Sequence, residues 1–192
     1  MVRAVSLAPE TLSTPKNAVV RTIGAVTISL NGEDEQVFSV ALDAQEQIDN
    51  GHHVSFDTLK WWMQQDPAAQ RDAFDGDPVH PVIGLEMLRG WLKGLGYPPV
   101  YTKGPHFDGA LLDSVAETFE VEPAIPYRKH RDIRTIEDAF ENHVKDERVL
   151  ERFWTLRERA YRGVVLHNAV NDAKAQGEIV RVWMQELGRV ED

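Results

Sequence analysis

The chain has 192 residues, of which 42% are hydrophobic and 27% are charged, as is ordinary for a globular protein with a core. Its 21 Lys and Arg residues against 31 Asp and Glu residues give a net charge of −10, which argues against duplex DNA binding by broad phosphate neutralisation and leaves local nucleic-acid contacts. Because the sequence has no cysteine, disulfides, thiolate zinc sites and a cysteine nucleophile are excluded, and carboxylate and imidazole groups would hold a metal such as Mg²⁺ or Mn²⁺.

The N-terminal third of the chain begins with a β-sheet pattern. Val5 and Leu7 alternate with polar neighbours and predict a first strand, while residues 18–30 carry apolar side chains on both faces and predict a strand buried on both sides. The Asn31-Gly32 pair favours a hairpin turn before a return strand at 37–42. These strands predict an antiparallel meander.

Helical patterns follow after Gly51. Ser55 is a suitable N-cap for a helix that extends to Gln65, and Pro67 stands at the favoured first position of the next helix. A third helix fits residues 83–95.

The second half of the chain alternates a short strand with helices. Residues 100–102 predict a strand that leads into a helix at 107–119, and residues 121–134, with two prolines and many charges, predict loop and edge structure. Further helices are predicted at 136–142 with Thr135 as N-cap, at about 147–161, and from Asn168 towards the C-terminus. The charged run 146–159 alternates in sign, which is typical of a solvated helix face. The element order favours a single mixed α/β domain over residues 1–192, with helices packed on a central sheet.

Cellular location is predicted from what the sequence lacks. No apolar run approaches the roughly 18 residues that a membrane span requires, and residues 1–12 lack the basic start and apolar middle of a secretory signal. We expect a cytoplasmic protein that does not bind membranes.

Three acidic residues stand where a strand ends or a helix begins. Glu10 follows the first strand, Asp108 lies at the start of the helix after the strand at 100–102, and Asp172 lies in the first turn of the last helix. Ligands collect at such positions in the middle of an α/β sheet. These carboxylates are therefore candidate ligands of a metal ion.

The spacing of His167 and Asp172 carries its own information. Five residues on a continuous helix are about 140° apart, so the two side chains can share a site only if the helix begins between them. Asn168 is a suitable cap for that start. We therefore expect His167 on an exposed loop beside Asp172, an arrangement that suits a general base next to a metal-bound water.

Five motif segments of the chain, in order, resemble the DEDDh exonucleases, which are DnaQ-like enzymes that act in the 3′→5′ direction. They are Pro-Glu-Thr-Leu (9–12) with Ile-Gly-Ala-Val (23–26), Trp-Trp-Met-Gln-Gln (61–65), Gly-Pro-His-Phe-Asp (104–108), Arg-Asp-Ile-Arg-Thr (131–135) and His-Asn-Ala-Val-Asn-Asp-Ala (167–173). Within that superfamily the chain is similar to small exoribonuclease-like proteins of mycobacteria and phages. The resemblance extends from Ser6 to Gln176.

The resemblance implies a ribonuclease H-like fold, in which a mixed central sheet of antiparallel meander and parallel strands is flanked by helices. It implies metal ligation by Glu10, Asp108 and Asp172, with His167 as general base. Two Mg²⁺ or Mn²⁺ ions would activate water and stabilise the leaving 3′ oxygen. The implied substrates are single-stranded 3′ ends of RNA or DNA, the implied location is a bacterial cytoplasm or that of a phage host, and a homodimer is left open.

Two positions depart from the pattern of the family. The first motif is Asp-x-Glu, but Ala8 stands where the Asp that bridges both metals is expected, and a methyl group cannot ligate a cation. Ala8 is either an engineered substitution or a natural loss of the Asp. Because the other motifs are intact, an engineered substitution is favoured. The second departure is Lys103, which stands where the family usually carries Asn and is interpreted as a phosphate contact.

Substrate contacts are predicted at Thr11, Leu12, Trp61, Trp62, Gln65, Lys103, Phe107, Arg131 and Arg134. Because neighbours on a helix are about 100° apart, we expect one of the two adjacent tryptophans in the core and the other as a partly exposed platform for a base. The two arginines are candidates for phosphate contact or for pairing with nearby carboxylates.

Two other functions remain as alternatives to an impaired exonuclease. If Ala8 is natural, the protein is a non-catalytic module that binds nucleic-acid 3′ ends or a partner. A weaker alternative is a metal-dependent phosphohydrolase that acts on small nucleotides.

Overall fold

A computed structural model gives the structure of the protein and describes residues 2–33 and 35–189. Five strands form one mixed sheet in the order β3-β2-β1-β4-β5. They are β1 (Ala4–Thr11), β2 (Val20–Ile28), β3 (Val37–Ala41), β4 (Val100–Thr102) and β5 (His130–Asp132). The first three are antiparallel, whereas β4 runs parallel to β1 and β5 parallel to β4. The predicted meander and edge strand are confirmed.

Eight α-helices occur in the described ranges: α1 (Ala44–Asp49), α2 (Phe56–Trp62), α3 (Pro67–Phe74), α4 (Pro81–Gly94), α5 (Ala110–Thr118), α6 (Ile133–His143), α7 (Glu147–Tyr161) and α8 (Ala169–Arg189). A π-helical turn at Pro105–Gly109 precedes α5. None of the described helices has the length and apolar character needed to span a membrane.

The two faces of β1 pack against different helices, because successive side chains of a strand point to opposite sides. Val5 and Leu7 contribute to a buried cluster with the leucines of α4 and α5. On the other face, Ala4 packs with apolar residues of α8, and Ala8 packs against Ala173 of the same helix. Position 8 and Glu10, two residues apart, therefore share the face that α8 covers.

Some predicted helix boundaries are wrong, for local reasons. Helix α6 begins three residues before the predicted start, directly after β5, because the side chain of Asp132, not that of Thr135, accepts the capping hydrogen bond from the amide of Arg134. The predicted helix at 107–119 starts with the π-helical turn. Helix α1 was not predicted, because its six residues, capped by Asp43, are too few for a clear apolar period.

Gly24 of β2 allows α8 to lie directly on the sheet. It pairs with Ala8 of β1, and a Cβ atom built on it would overlap the backbone of Ala169 and Val170 at the start of α8. Only a residue without a side chain leaves room for this contact. The glycine thus fixes the distance between the beginning of α8 and the end of β1.

We expect Gly24→Ala to lower the free energy of unfolding by about 1–3 kcal/mol, because the added methyl group must displace helix backbone. Urea unfolding followed by circular dichroism measures the change. Gly90→Ala in α4 is the matched control, since its Cβ would meet no atom within 4 Å; it should be neutral or stabilise by up to about 1 kcal/mol. Equal stability of the two variants would contradict the close packing of α8.

Candidate metal and nuclease site

Three potential metal ligands meet at the end of β1 and the start of α8. One oxygen or nitrogen atom from each of Glu10, His167 and Asp172 lies within 4.8 Å of the other two. Glu10 is buried, and the other two are half-buried. We call this group the Glu10–His167–Asp172 cluster.

The start of α8 positions two members of the cluster. The side-chain oxygen of Asn168 accepts a hydrogen bond from the amide of Asn171 at 2.9 Å, as an N-cap does, so the helix begins between His167 and Asp172 as predicted. The backbone amide of His167 donates to Oδ2 of Asp172 at 3.2 Å. His167 has a φ of 61°, a left-handed conformation that turns the chain into the helix.

The imidazole of His167 is more enclosed than predicted. Its ring lies edge-to-face with the ring of Trp61, with centroids 4.6 Å apart, and the centroid of Trp62 is 6.3 Å away. His167 lies before α8 as expected, but its side chain is half-buried rather than exposed, because α2 packs against it. This contact restricts the orientations of the imidazole.

The carboxylates of the cluster repel each other and are shielded from water. Burial, followed by the charge of Asp172 and a hydrogen bond with it, raises the pKa of Glu10 from an ordinary 4.5 to about 9. Burial also raises the pKa of Asp172, although His167 opposes the shift. The raised pKa favours the protonated form of Glu10 at neutral pH, and Oδ1 of Asp172 is buried without a hydrogen-bond partner among the described residues.

Asp108 lies beside the cluster. It is buried in the π-helical turn, where it accepts a hydrogen bond from the amide of Lys103. Burial raises the pKa of Asp108 to about 7, against the effects of that hydrogen bond and of the positive charge of Arg134. Its own charge raises the pKa of Glu10, so the two carboxylates belong to one electrostatic site.

Position 8 faces this site with a methyl group. Ala8 is 5% exposed and packs with Val26, Val170 and Ala173. It is two residues from Glu10 on the same face of β1, so a carboxylate at this position would point towards the start of α8. Position 8 therefore presents an apolar side chain on the face of β1 that also carries Glu10.

Two clefts border the cluster and differ in chemistry. The aromatic cleft, with a volume of about 570 Å³, is lined by Glu10, Thr11, Ser55, Trp61, Trp62 and Phe107 among others. The basic cleft, of about 660 Å³, is lined by Lys103, Arg157, Tyr161, Arg162, His167 and Asp172 among others. Glu10 belongs to the first cleft, and His167 and Asp172 belong to the second.

The adjacent tryptophans of α2 face in different directions, as predicted. Trp62 is 1% exposed, and its indole N–H donates to the carbonyl of Thr11 at 2.9 Å, which ties α2 to the end of β1. Trp61 is 39% exposed and lines the aromatic cleft with Phe107. Trp61 is therefore the one of the two with an accessible ring.

Four predicted substrate residues line neither cleft. Leu12 is buried in a small apolar cluster with Trp62. The side-chain amide of Gln65 donates to the carbonyl of Trp61, and the guanidinium of Arg131 donates to the carbonyls of Arg128 and His130. Arg134 lies against Gly104. In these positions Leu12, Gln65 and Arg131 support the protein's own structure, and Arg134 acts on the site through Asp108.

Sequence reasoning missed Asp72 and two arginines of the basic cleft. Asp72 of α3 accepts hydrogen bonds from the amide of Ala169 and the side chain of Asn168, and its charge contributes to the raised pKa of Glu10. No motif marks it, because it reaches α8 only through tertiary packing. Arg157 lies in the charged run predicted as a solvated face, and neither it nor Arg162 was predicted as a site residue, yet both line the basic cleft.

Comparison with known proteins was made on sequence and on structure. Residues 4–184 match the family model of the 3′-5′ exoribonuclease Rv2179c-like domain. Among curated proteins, none matches the chain significantly. Among solved structures, the chain is similar to the nuclease domain of 3′hExo, a DEDDh family member bound to rAMP, with 14% identity, a TM-score of 0.57, and coverage of 95% of this chain and 92% of that chain.

The structural likeness confirms the predicted ribonuclease H-like fold, with a mixed five-stranded sheet between helices. The family match agrees with the motif order along the chain. Because the family model covers nearly all of the described residues, the protein belongs to the family of the 3′-5′ exoribonuclease Rv2179c-like domain.

Proposed function

We propose that this protein holds the 3′ end of single-stranded RNA or DNA at the Glu10–His167–Asp172 cluster, in an active site built to hydrolyse the last phosphodiester and impaired by Ala8. The observation that carries the proposal is the convergence of the buried carboxylate of Glu10, the half-buried carboxylate of Asp172 and an imidazole within 4.8 Å, in a chain that matches a 3′-5′ exoribonuclease family. A cytoplasmic location, a single domain over residues 1–192 and a homodimer remain predictions.

The chemistry of the donor set fits divalent cations. Carboxylate oxygens are the ligands that Mg²⁺ and Mn²⁺ prefer, and the unpartnered Oδ1 of Asp172 and the proton retained by Glu10 both mark a place for positive charge. Glu10, Asp172 and Asp108 would hold the ions. When bound, two such ions would supply Lewis-acid activation of water and stabilisation of the leaving oxygen.

His167 is the proposed general base. Its imidazole is half-buried against Trp61, which limits its orientations, and its backbone is tied to Asp172. A positioned imidazole beside the scissile phosphate accepts the proton of the attacking water.

The terminal nucleoside is proposed to occupy the aromatic cleft. The accessible ring of Trp61 and that of Phe107 offer stacking surfaces, and stacking on an aromatic side chain contributes about 1–3 kcal/mol per base. The hydroxyls of Thr11 and Ser55 line the same cleft. The nucleotide in the 3′hExo structure agrees with a nucleotide ligand for this fold.

A non-catalytic role in binding 3′ ends is the second candidate. The methyl group of Ala8 is buried and packs with Val26 and Ala173, so an alanine at this position has apolar partners of its own. The same clefts would then bind the strand without cutting it.

We expect Ala8→Asp to produce or restore nuclease activity, because the carboxylate would add a ligand for the ions, whose Lewis-acid effect would be worth several kcal/mol of transition-state stabilisation. The measurement is a time course on 5′-labelled single-stranded RNA and DNA with Mn²⁺, and a ladder of shortening products is expected. Ala8→Asn, of similar shape but uncharged, is the control.

Two outcomes would count against this expectation. A folded Ala8→Asp protein as inert as its parent with both Mg²⁺ and Mn²⁺ would contradict the two-metal mechanism. Cleavage of mononucleotides without a ladder would identify a small-nucleotide phosphohydrolase.

In the Ala8→Asp background, His167→Ala should lower turnover by about 10²- to 10⁴-fold, the usual effect of a lost general base, with little change in KM. Added imidazole should restore part of the rate. His143→Ala, which removes an exposed histidine at the end of α6, is the control. Turnover that is unchanged by the His167 substitution would assign the base to another residue.

The metal-free protein should become less stable as pH rises from about 5 to 9. Glu10 and Asp108 have folded-state pKa values of about 9 and about 7, above their ordinary 4.5 and 3.8, so the unfolded chain binds fewer protons in this range. Each group contributes fully to the stability of the folded state when the pH is below its pKa in the unfolded chain. That contribution is lost as the pH rises through the pKa of the group in the folded protein. Thermal unfolding in a chelator at several pH values measures the effect.

Substitution at Glu10 separates its part of that pH dependence. In chelator, Glu10→Gln should make the fall of Tm with rising pH less steep and should raise Tm at pH 8. Added Mn²⁺ should stabilise the parent protein more than this variant. Glu86→Gln, on the exposed face of α4, is the matched control and should leave both behaviours unchanged. A Tm of the parent that is independent of pH in chelator would contradict the raised pKa values.

A further inference from the structure

The basic cleft brings three cationic side chains together, those of Lys103, Arg157 and Arg162. Nε of Arg157 lies 2.8 Å, and Nζ of Lys103 3.5 Å, from the same oxygen of Glu137. The Glu137 side chain is only 13% exposed, so two cations share one enclosed carboxylate. Glu137 alone therefore cannot neutralise both cations, and Lys103 also acts on the charge of Asp172.

Arg162 adds an exchangeable cation at the same cleft. Its guanidinium pairs with Glu158 at 2.9 Å, but both side chains are about three-quarters exposed, at 75% and 74%. Such surface pairs contribute little, because water screens them. A phosphate that accepts two hydrogen bonds from the guanidinium can therefore displace the carboxylate.

The aromatic cleft has the opposite character. The described residues that line it include the carboxylates Glu10 and Asp57 but no Lys or Arg. A terminal nucleoside suits such a cleft, because beyond its 3′ hydroxyl it carries no further phosphate. The rest of the strand carries one negative charge at every linkage and needs cations.

From this contrast we infer that the basic cleft binds the phosphates of the strand on the 5′ side of the scissile bond, with Arg157 and Arg162 as contacts. The strand then crosses the Glu10–His167–Asp172 cluster and ends in the aromatic cleft. This inference rests on the proposed function and adds a direction for the strand and two contacts that no motif indicates. It also explains how a chain of net charge −10 can bind a polyanion locally.

The test uses the full chain with Ala8, which can hold a substrate without degrading it. Fluorescence anisotropy with a 5′-labelled single-stranded octanucleotide, over a salt series with Mn²⁺, gives the affinity and the slope of log affinity against log salt. Arg157→Gln and Arg162→Gln should each weaken binding several-fold and reduce the slope by about 0.7, the value for one phosphate contact of a single strand. The two substitutions should leave the affinity for 5′-AMP, measured by competition, unchanged, because 5′-AMP lacks upstream phosphates.

Two further variants sharpen the test. Arg159→Gln is the matched control, since it removes the same charge from an exposed position of α7 that does not line the cleft, and its slope should change far less. Glu137→Gln keeps the shape of the side chain but releases both cations, and it should strengthen binding of the octanucleotide.

The outcomes separate this inference from the proposed function. If the parent binds the octanucleotide and the Ala8→Asp chain gives a product ladder, but Arg157→Gln and Arg162→Gln behave like Arg159→Gln, the basic cleft is not the strand path. The inferred strand path would also be overturned if the two arginine variants lost affinity for 5′-AMP as much as for the octanucleotide. If the parent binds no single strand and Ala8→Asp gives no ladder, the proposed function itself is wrong.

Discussion

The site depends on the close approach of α8 to the sheet at Gly24. Because β2 has no side chain at this point, the first turn of the helix lies against the strand that pairs with Ala8. This contact brings Asp172 and His167 to Glu10, although the first motif and the last are separated by most of the chain. Asp72 adds hydrogen bonds to the same helix start. A shift of α8 would therefore move both His167 and Asp172 away from Glu10.

That packing brings carboxylates close together and partly out of water. Burial and the charge of Asp172 raise the pKa of Glu10 to about 9, which favours its protonated form at neutral pH. Such a site is poorly suited to stability but well suited to binding divalent ions, which remove the repulsion. Ala8, on the same face of β1, adds a methyl group to this site, and a cleft lies on each side of the cluster.

The sequence by itself determined the elements with strong local signals. Apolar residues on both faces of 18–30 predicted a strand buried on both sides, and β2 within that range buries all its side chains. The capping side chain of Asn168 and the spacing of His167 and Asp172 located the start of α8. The motif order identified the nuclease family, because each motif is a local run of chemistry-bearing residues.

Tertiary structure alone decided which side chains face the site. Leu12, Gln65 and Arg131 stand in motif segments, yet one is buried in a core cluster and the others bond to nearby backbone. Arg157 lies in a charged run that by pattern is a solvated face, yet the packing of α7 turns it towards the basic cleft beside Glu137. Charge alternation and motif membership describe a segment, whereas the direction of a side chain depends on contacts with distant elements.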